Sequence, residues 1–344
     1  MEYRDALFDF DDVLIIPSTF TKIRSRKEIT INYLPLMTAP MDTVINTKNA
    51  DIYQKLGIVP IIPRIQTPDN SWHSTDKFFS YSLEDFERIF LSREKICSPD
   101  KQPIKALIDI ANGHMEALYT VAKDAKKIYG DDMILMVGNI ANPETYAKYC
   151  HTNVDLIRIG IGNGNGCLTT VQTGVGYPMG SLIYECSKLK KRYGCSLIVA
   201  DGGFKKYSDI IKGLALGADY VMLGSIFNKA LESAGETTIE NGDIIDQYSE
   251  NAKNLFDVDI PLYKTFRGMS TKEVQKELGK NDLQTSEGVI RRNQVEYTLD
   301  GWVKNFESYL RSAMSYTNKK ELSHFIGRAE IKLITQNSFR RFDK

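Results

Sequence analysis

The sequence is poor in the groups that build metal centres and disulfide frameworks. Its four histidines, His73, His114, His151 and His324, fall at no metal-ligand spacing, so each is assigned a packing or solvated role. Its five cysteines, Cys97, Cys150, Cys167, Cys186 and Cys195, are odd in number and contain no CxxC pair. A disulfide framework and a zinc ribbon are therefore not expected, and the thiols are expected reduced, in a cytoplasmic protein. Charge of one sign is missing as well: 44 basic residues balance 44 acidic ones, and the pI lies near 6.9. That balance gives no long-range field to attract a nucleic acid or an anionic membrane. The basic stretch "SKLKKRYG" at 187–194 reads as a solvated helix end. No apolar run approaches the ~18 residues that cross a bilayer, and the charged opening "MEYRDALFDFDD" has no apolar signal core. A soluble protein is expected, with a small molecule or a second copy of itself as partner.

What is present is a rhythm. Short apolar runs recur as "PLMTAP", "IVPIIP", "KFFSYS", "KALIDI", "MILMVGN", "DLIRIGI", "CSLIVAD" and "YVMLGS". Amphipathic stretches such as "MEALYTVAKDAKKIYG" and "KYSDIIKGLALGA" separate them. Eight strand signals alternating with helices predict an α/β fold, a (β/α)8 barrel occupying 1–344 as one catalytic unit. Residues 1–34 read as an N-terminal extension with a short hairpin. Residues 235–300 are polar, turn-rich and too long for an ordinary connection, so they read as a flap after strand eight. A C-terminal arm is expected over about 317–344, and no second regulatory (CBS) domain interrupts the chain.

In such a barrel the chemistry gathers where strands end. There the sequence offers "GIGNGNGCLTT" after strand six, "ADGG" after strand seven, "LGS" after strand eight and "DIANGH" after strand four. Glycines 160, 162, 164 and 166 leading into Cys167 present a thiol with little side chain around it, which reads as a nucleophile rather than a core residue. The loop fits neither GxGxxG nor a Walker sequence. Its carbonyls suit a monovalent cation and its amides a phosphate, with a plain glycine turn as the alternative. Gly202, Gly203, Gly224 and Ser225 suit a phosphate held by backbone N–H groups, and Asp201 suits ribose hydroxyls.

These strings resemble, in order along the chain, those of the IMP dehydrogenase/GMP reductase family. "FDFDDVLIIPS", "APMDTV", "IGIGNGNGCLTTVQTGVGYP", "ADGG", "MLGS" and "FRGMS" carry the resemblance. It implies a barrel that binds a purine nucleotide, attacks purine C2 with Cys167, and exchanges hydride at that carbon with a nicotinamide cofactor. Thr169 is then the hydroxyl beside the nucleophile, and Glu273, next to the aligned Lys272, the carboxylate expected to partner it. Asp201, Gly202, Gly203, Gly224 and Ser225 hold sugar and phosphate, and Gly268, Met269 and Ser270 the base. Ser286, Glu287 and Gly288, in "TSEG", close over the purine. Arg64, Asp109, Ile110, Ala111, Ile161 and Gly162 fall on the cofactor side, and carbonyls of Gly162, Gly164 and Cys167 match a potassium site. "DIANGH", "SRKEITI" and "GVGYP" favour the reductive branch, in which NADPH drives deamination of GMP to IMP and ammonia. Oxidation of IMP to XMP with NAD, and a nucleotide-binding pseudoenzyme, are the alternatives. Relatives imply a homotetramer.

Overall fold

The computed structural model describes residues 6–68, 70–74, 76–92, 94–194, 196–279 and 285–342. Eight parallel strands form its central sheet: β1 Leu36–Thr38, β2 Ile61–Ile62, β3 Phe78–Tyr81, β4 Ile104–Asp109, β5 Met133–Ile140, β6 Leu156–Ile159, β7 Leu197–Asp201 and β8 Tyr220–Leu223. The pairing order is β1-β8-β7-β6-β5-β4-β3-β2. The ends meet through Val59, whose N–H donates to Leu36 O at 3.0 Å and whose carbonyl accepts from Thr38 N at 3.1 Å. The sheet thus rolls into the barrel that the alternating runs predict.

Alternation along each strand sorts the side chains. Met37, Ile61, Phe78, Leu107, Met136, Leu156, Val199 and Met222, one from each strand, pack together inside the barrel. Their neighbours, such as Ile108, Val137, Ile157, Ala200 and Val221, join the larger core beneath the helices. The helices Glu116–Tyr129, Pro143–Cys150, Met179–Tyr193 and Tyr207–Leu216 fill the connections from β4 to β8. Local signals set their limits. Asn142 caps one helix by accepting from Glu144 N at 2.7 Å, with Pro143 in the first turn, where its missing N–H costs nothing.

Two sequence expectations are corrected. Among its described residues the N-terminal extension makes no hairpin with itself. Its strand Val13–Ile15 pairs antiparallel with Ile331–Leu333 of the C-terminal arm, so the apolar "VLII" run finds its partner more than three hundred residues away. "SRKEITI" supplies instead a single 3-10 turn, Arg26–Glu28, capped by Ser25. Cys150 is disulfide-bonded, whereas Cys97, Cys167 and Cys186 are free, so the thiols are not all reduced. Among the described residues no helix is long and apolar enough to cross a membrane.

After β8 the chain builds a four-stranded antiparallel sheet from Thr237–Thr238, Ile244–Ile245, Tyr263–Arg267 and Ile290–Gln294. Lys264 lies fully buried at its root, its Nζ donating to the carbonyls of Ser233 at 2.9 Å and Gly235 at 3.4 Å. Burial pushes its pKa down to about 7. Between pH 7 and the ordinary 10.5 of an unfolded lysine, the unfolded chain binds a proton that the folded chain does not, so stability rises with pH there. Below pH 7 both states carry the charge and the burial penalty is complete. The melting temperature of the wild type, measured relative to that of Lys264→Met, is therefore expected to climb by roughly 2–5 °C from pH 7 to pH 9.5. A difference independent of pH would contradict the depressed value.

Candidate active site

Towards the end of the inward side of the barrel, the same two-residue step replaces Leu107 by Asp109, Leu156 by Arg158 and Val199 by Asp201. Arg158 is 8% exposed. It donates to Asp109 Oδ1 at 2.6 Å and to Asp201 Oδ2 at 3.0 Å from Nε and 2.9 Å from its other nitrogen. Burial alone would lower the guanidinium pKa, but the two carboxylates outweigh it and hold it above its ordinary value. Arg64, at the end of β2, stands 3.5 Å from the second oxygen of Asp109. The ladder of β5 shifts register between Gly138 and Ile140, and a bulge of this kind re-aims a side chain. Asn139, at that irregularity, donates to Gly160 O and to Asp201 Oδ2, both at 2.8 Å. Gly138 is required beside it, since a Cβ there would lie 2.5 Å from Arg158 O.

Removing Arg158 leaves Asp201 without its counter-charge and Asp109 with Arg64 alone. Arg158→Met is expected to lower the unfolding free energy by about 2–4 kcal/mol, read from the denaturant midpoint. A loss under about 0.5 kcal/mol would show that the carboxylates do not depend on it.

Above this layer opens a cavity of about 270 Å³. Cys167 lines it, half-buried, after the glycine loop and just before the short helix Thr169–Thr173. Its Sγ donates to Thr169 Oγ1 at 3.2 Å, and Thr169 Oγ1 donates in turn to the Glu287 carboxylate. Backbone pairing sets this chain of contacts. Cys167 bridges Gly288 in antiparallel fashion, Leu168 N donates to Glu287 O at 2.6 Å and Val289 N to Gly166 O at 3.2 Å. Gly268 N closes the layer on Val289 O at 3.0 Å. The flap thus lies on the cysteine loop as an added strand would, and the register brings Glu287 beside Thr169.

Most of the expected site residues meet in this one cavity. Arg64, Asp109, Ile110, Ala111, Ile161, Gly162, Gly164, Cys167, Thr169, Asp201, Gly202, Gly203, Gly224, Ser225, Gly268, Met269, Ser270 and Glu287 all line it. Gly202 needs its lack of a side chain: its φ is +91° and a Cβ would meet Gly164 N at 2.8 Å. Ser286 and Gly288 are not among the lining residues; Ser286 Oγ donates to Gly288 O at 3.1 Å and shapes the turn that carries Glu287. Glu273 also stands apart. It is exposed in the first turn of the helix Lys272–Glu277, and the carboxylate bonded to Thr169 is that of Glu287. Asn139, Arg158 and Lys205 line the cavity and were not singled out from the sequence. For Arg158 a signal existed, a lone arginine within the apolar strand "DLIRIGI".

The carbonyls expected to hold potassium belong to the same loop. The Gly164 carbonyl already accepts Cys167 N at 3.0 Å. The Thr170 hydroxyl covers the loop instead, reaching Val175 O at 2.7 Å and Ile161 O at 3.3 Å. Gly162 packs so tightly on Thr170 that a Cβ would fall 1.7 Å from its Oγ1. The contact with Cys167 N takes one of the two lone pairs of the Gly164 oxygen. On the cofactor side, Arg64 Nε is buried without a hydrogen-bond partner, and Ile110 and Ala111 give an apolar wall to the same cavity.

Residues 104–342 match the family described as IMP dehydrogenase / GMP reductase domain. The chain belongs to the IMP dehydrogenase / GMP reductase family. Similar curated proteins include GMP reductase 2 of Mus musculus, 28% identical, the match covering 96% of this chain and 95% of that protein. GMP reductase 2 of Bos taurus is 29% identical over 93% and 92% of the two chains. GMP reductase of Staphylococcus carnosus strain TM300 is 28% identical over 92% and 93%. The similarity runs through the barrel, the cysteine loop and the flap alike, since it covers nearly the whole of both chains.

Proposed function

We propose that the protein is a GMP reductase, converting GMP to IMP and ammonia at the expense of NADPH. The observation that carries this reading is the run of contacts from Cys167 through Thr169 to Glu287, at the wall of a cavity whose other residues suit a nucleotide. Asp201, Gly202, Gly203, Gly224 and Ser225 grip ribose and phosphate, and Gly268, Met269 and Ser270 flank the base. Asp201 gives Oδ2 to Asn139 and Arg158, which leaves Oδ1 to accept from ribose hydroxyls.

The thiol passes its proton along Thr169 to Glu287, and the sulfur forms a bond to purine C2. Glu287, now protonated, returns the proton through Thr169 to the 2-amino group. The C2–N bond breaks, ammonia departs, and a thioimidate joins Cys167 to the purine. The hydride that carbon two then needs is the chemistry a reduced nicotinamide dinucleotide supplies when bound. Arg64, Asp109, Ile110, Ala111, Ile161 and Gly162 would hold it.

The test mixes purified protein with GMP and NADPH, and separately with IMP and NAD, following the absorbance of the reduced nicotinamide. Consumption in the first mixture, with IMP and ammonia as products, is expected. Production of NADH in the second, with silence in the first, would reverse the assignment. The coupled readings of a homotetrameric, cytoplasmic enzyme built as one catalytic unit belong to this proposal and are tested by light scattering, fractionation and limited proteolysis.

A further inference from the structure

The charges around the cavity do not cancel in a way that suits a phosphate. Three carboxylates, Asp109, Asp201 and Glu287, line it together with the guanidiniums of Arg64 and Arg158. Arg158 is committed to two of the carboxylates, and Arg64 stands beside Asp109. Without a further cation the site is net negative, and a dianionic phosphate would be repelled. The glycines at the ends of β7 and β8 offer backbone N–H groups, but these carry only partial charge.

Lys205 is the third cation lining the cavity, and of these three described cations it alone has no carboxylate partner. It follows Gly203 by two residues, on the loop between β7 and the helix Tyr207–Leu216. Asp209, 3% exposed, fixes that loop by accepting the backbone N–H of Lys205 at 2.9 Å and of Lys206 at 3.2 Å on one oxygen. The lysine charges that act on Asp209 are those of Lys206 and Lys212, so Asp209 anchors the backbone of Lys205 without neutralising its ammonium. Lys206 has a different surrounding, its Nζ lying 5.2 Å from the centre of the Phe339 ring on the C-terminal helix. The two adjacent lysines are thereby separated in role.

We infer that Lys205 provides the positive charge that holds the 5′-phosphate, making the cavity selective for a nucleoside monophosphate over the free nucleoside. This inference rests on the nucleotide reading of the cavity given above. Lys205 is a binding residue and has no part in the bond changes at C2. Because its side chain is exposed, the contact is screened by salt.

The experiment measures binding of GMP and of guanosine by calorimetry to the wild type, Lys205→Met and Lys205→Arg. The wild type is expected to prefer GMP. In Lys205→Met the GMP-to-guanosine affinity ratio is expected to fall about 10- to 100-fold, as for loss of a charge-assisted hydrogen bond, with guanosine binding unchanged. Lys205→Arg is expected to restore most of the ratio, and 1 M salt to shrink the difference between wild type and Lys205→Met. A preserved ratio in Lys205→Met, in a protein that still binds guanosine, would overturn the role of Lys205 alone. A wild type that binds neither compound would overturn the nucleotide reading and this inference with it.

Discussion

Cys167→Ala is expected to lower the turnover of GMP by about ten-thousand-fold or more, while the affinity for GMP, measured by calorimetry, stays within about threefold. Removing a nucleophile abolishes the covalent route without removing the sugar and phosphate contacts, which come from the ends of β7 and β8. Cys186 provides the control. It is buried within the helix Met179–Tyr193, and burial pushes its thiol far up, so it is no nucleophile at neutral pH. Cys186→Ala removes a sulfur from the core and is expected to cost stability rather than catalysis. A Cys167→Ala enzyme that turns over at the wild-type rate would remove sulfur from the mechanism.

Glu287→Gln is expected to cut kcat by about a hundred- to ten-thousand-fold, the range of a positioned general acid or base. The isosteric amide keeps an acceptor for Thr169 but cannot take the proton. Glu273→Gln, at an exposed helix position one flap element away, is expected to change kcat by less than about twofold. The pair decides between the two carboxylates, since only Glu287 is bonded to Thr169. Equal losses at both positions, or a loss at Glu273 alone, would contradict the assignment. Thr169→Val separates relay from packing: it removes the hydroxyl that both Cys167 and Glu287 touch, and its loss should match that of Glu287→Gln.

The contrast between these two glutamates shows what the sequence could reveal. The barrel was legible because each strand states its own periodicity, and Met37, Leu107, Leu156 and Val199 fall on the inward side by local alternation alone. The cysteine loop and the glycine rims were legible for a related reason, as strand ends have fixed positions in such a barrel. Glu287 acquires its role from a pairing between residues 167 and 288, which no local pattern encodes. The family resemblance therefore placed the flap carboxylate at Lys272, with Glu273 as its neighbour. The pairing of Val13–Ile15 with Ile331–Leu333 escaped for the same reason, as did the bulge at Asn139. Arg158 lay between: its strand was evident, and its charge on the inward side asked for partners that only the assembled barrel supplies.

The most direct test of the account is a crystal structure of the protein with GMP bound. The account predicts the phosphate against Gly202, Gly203, Gly224 and Ser225, with C2 of the guanine within about 3.5 Å of Cys167 Sγ, the distance of a near-attack arrangement. A guanine whose C2 faces away from that sulfur, or a phosphate seated elsewhere in the barrel mouth, would contradict it.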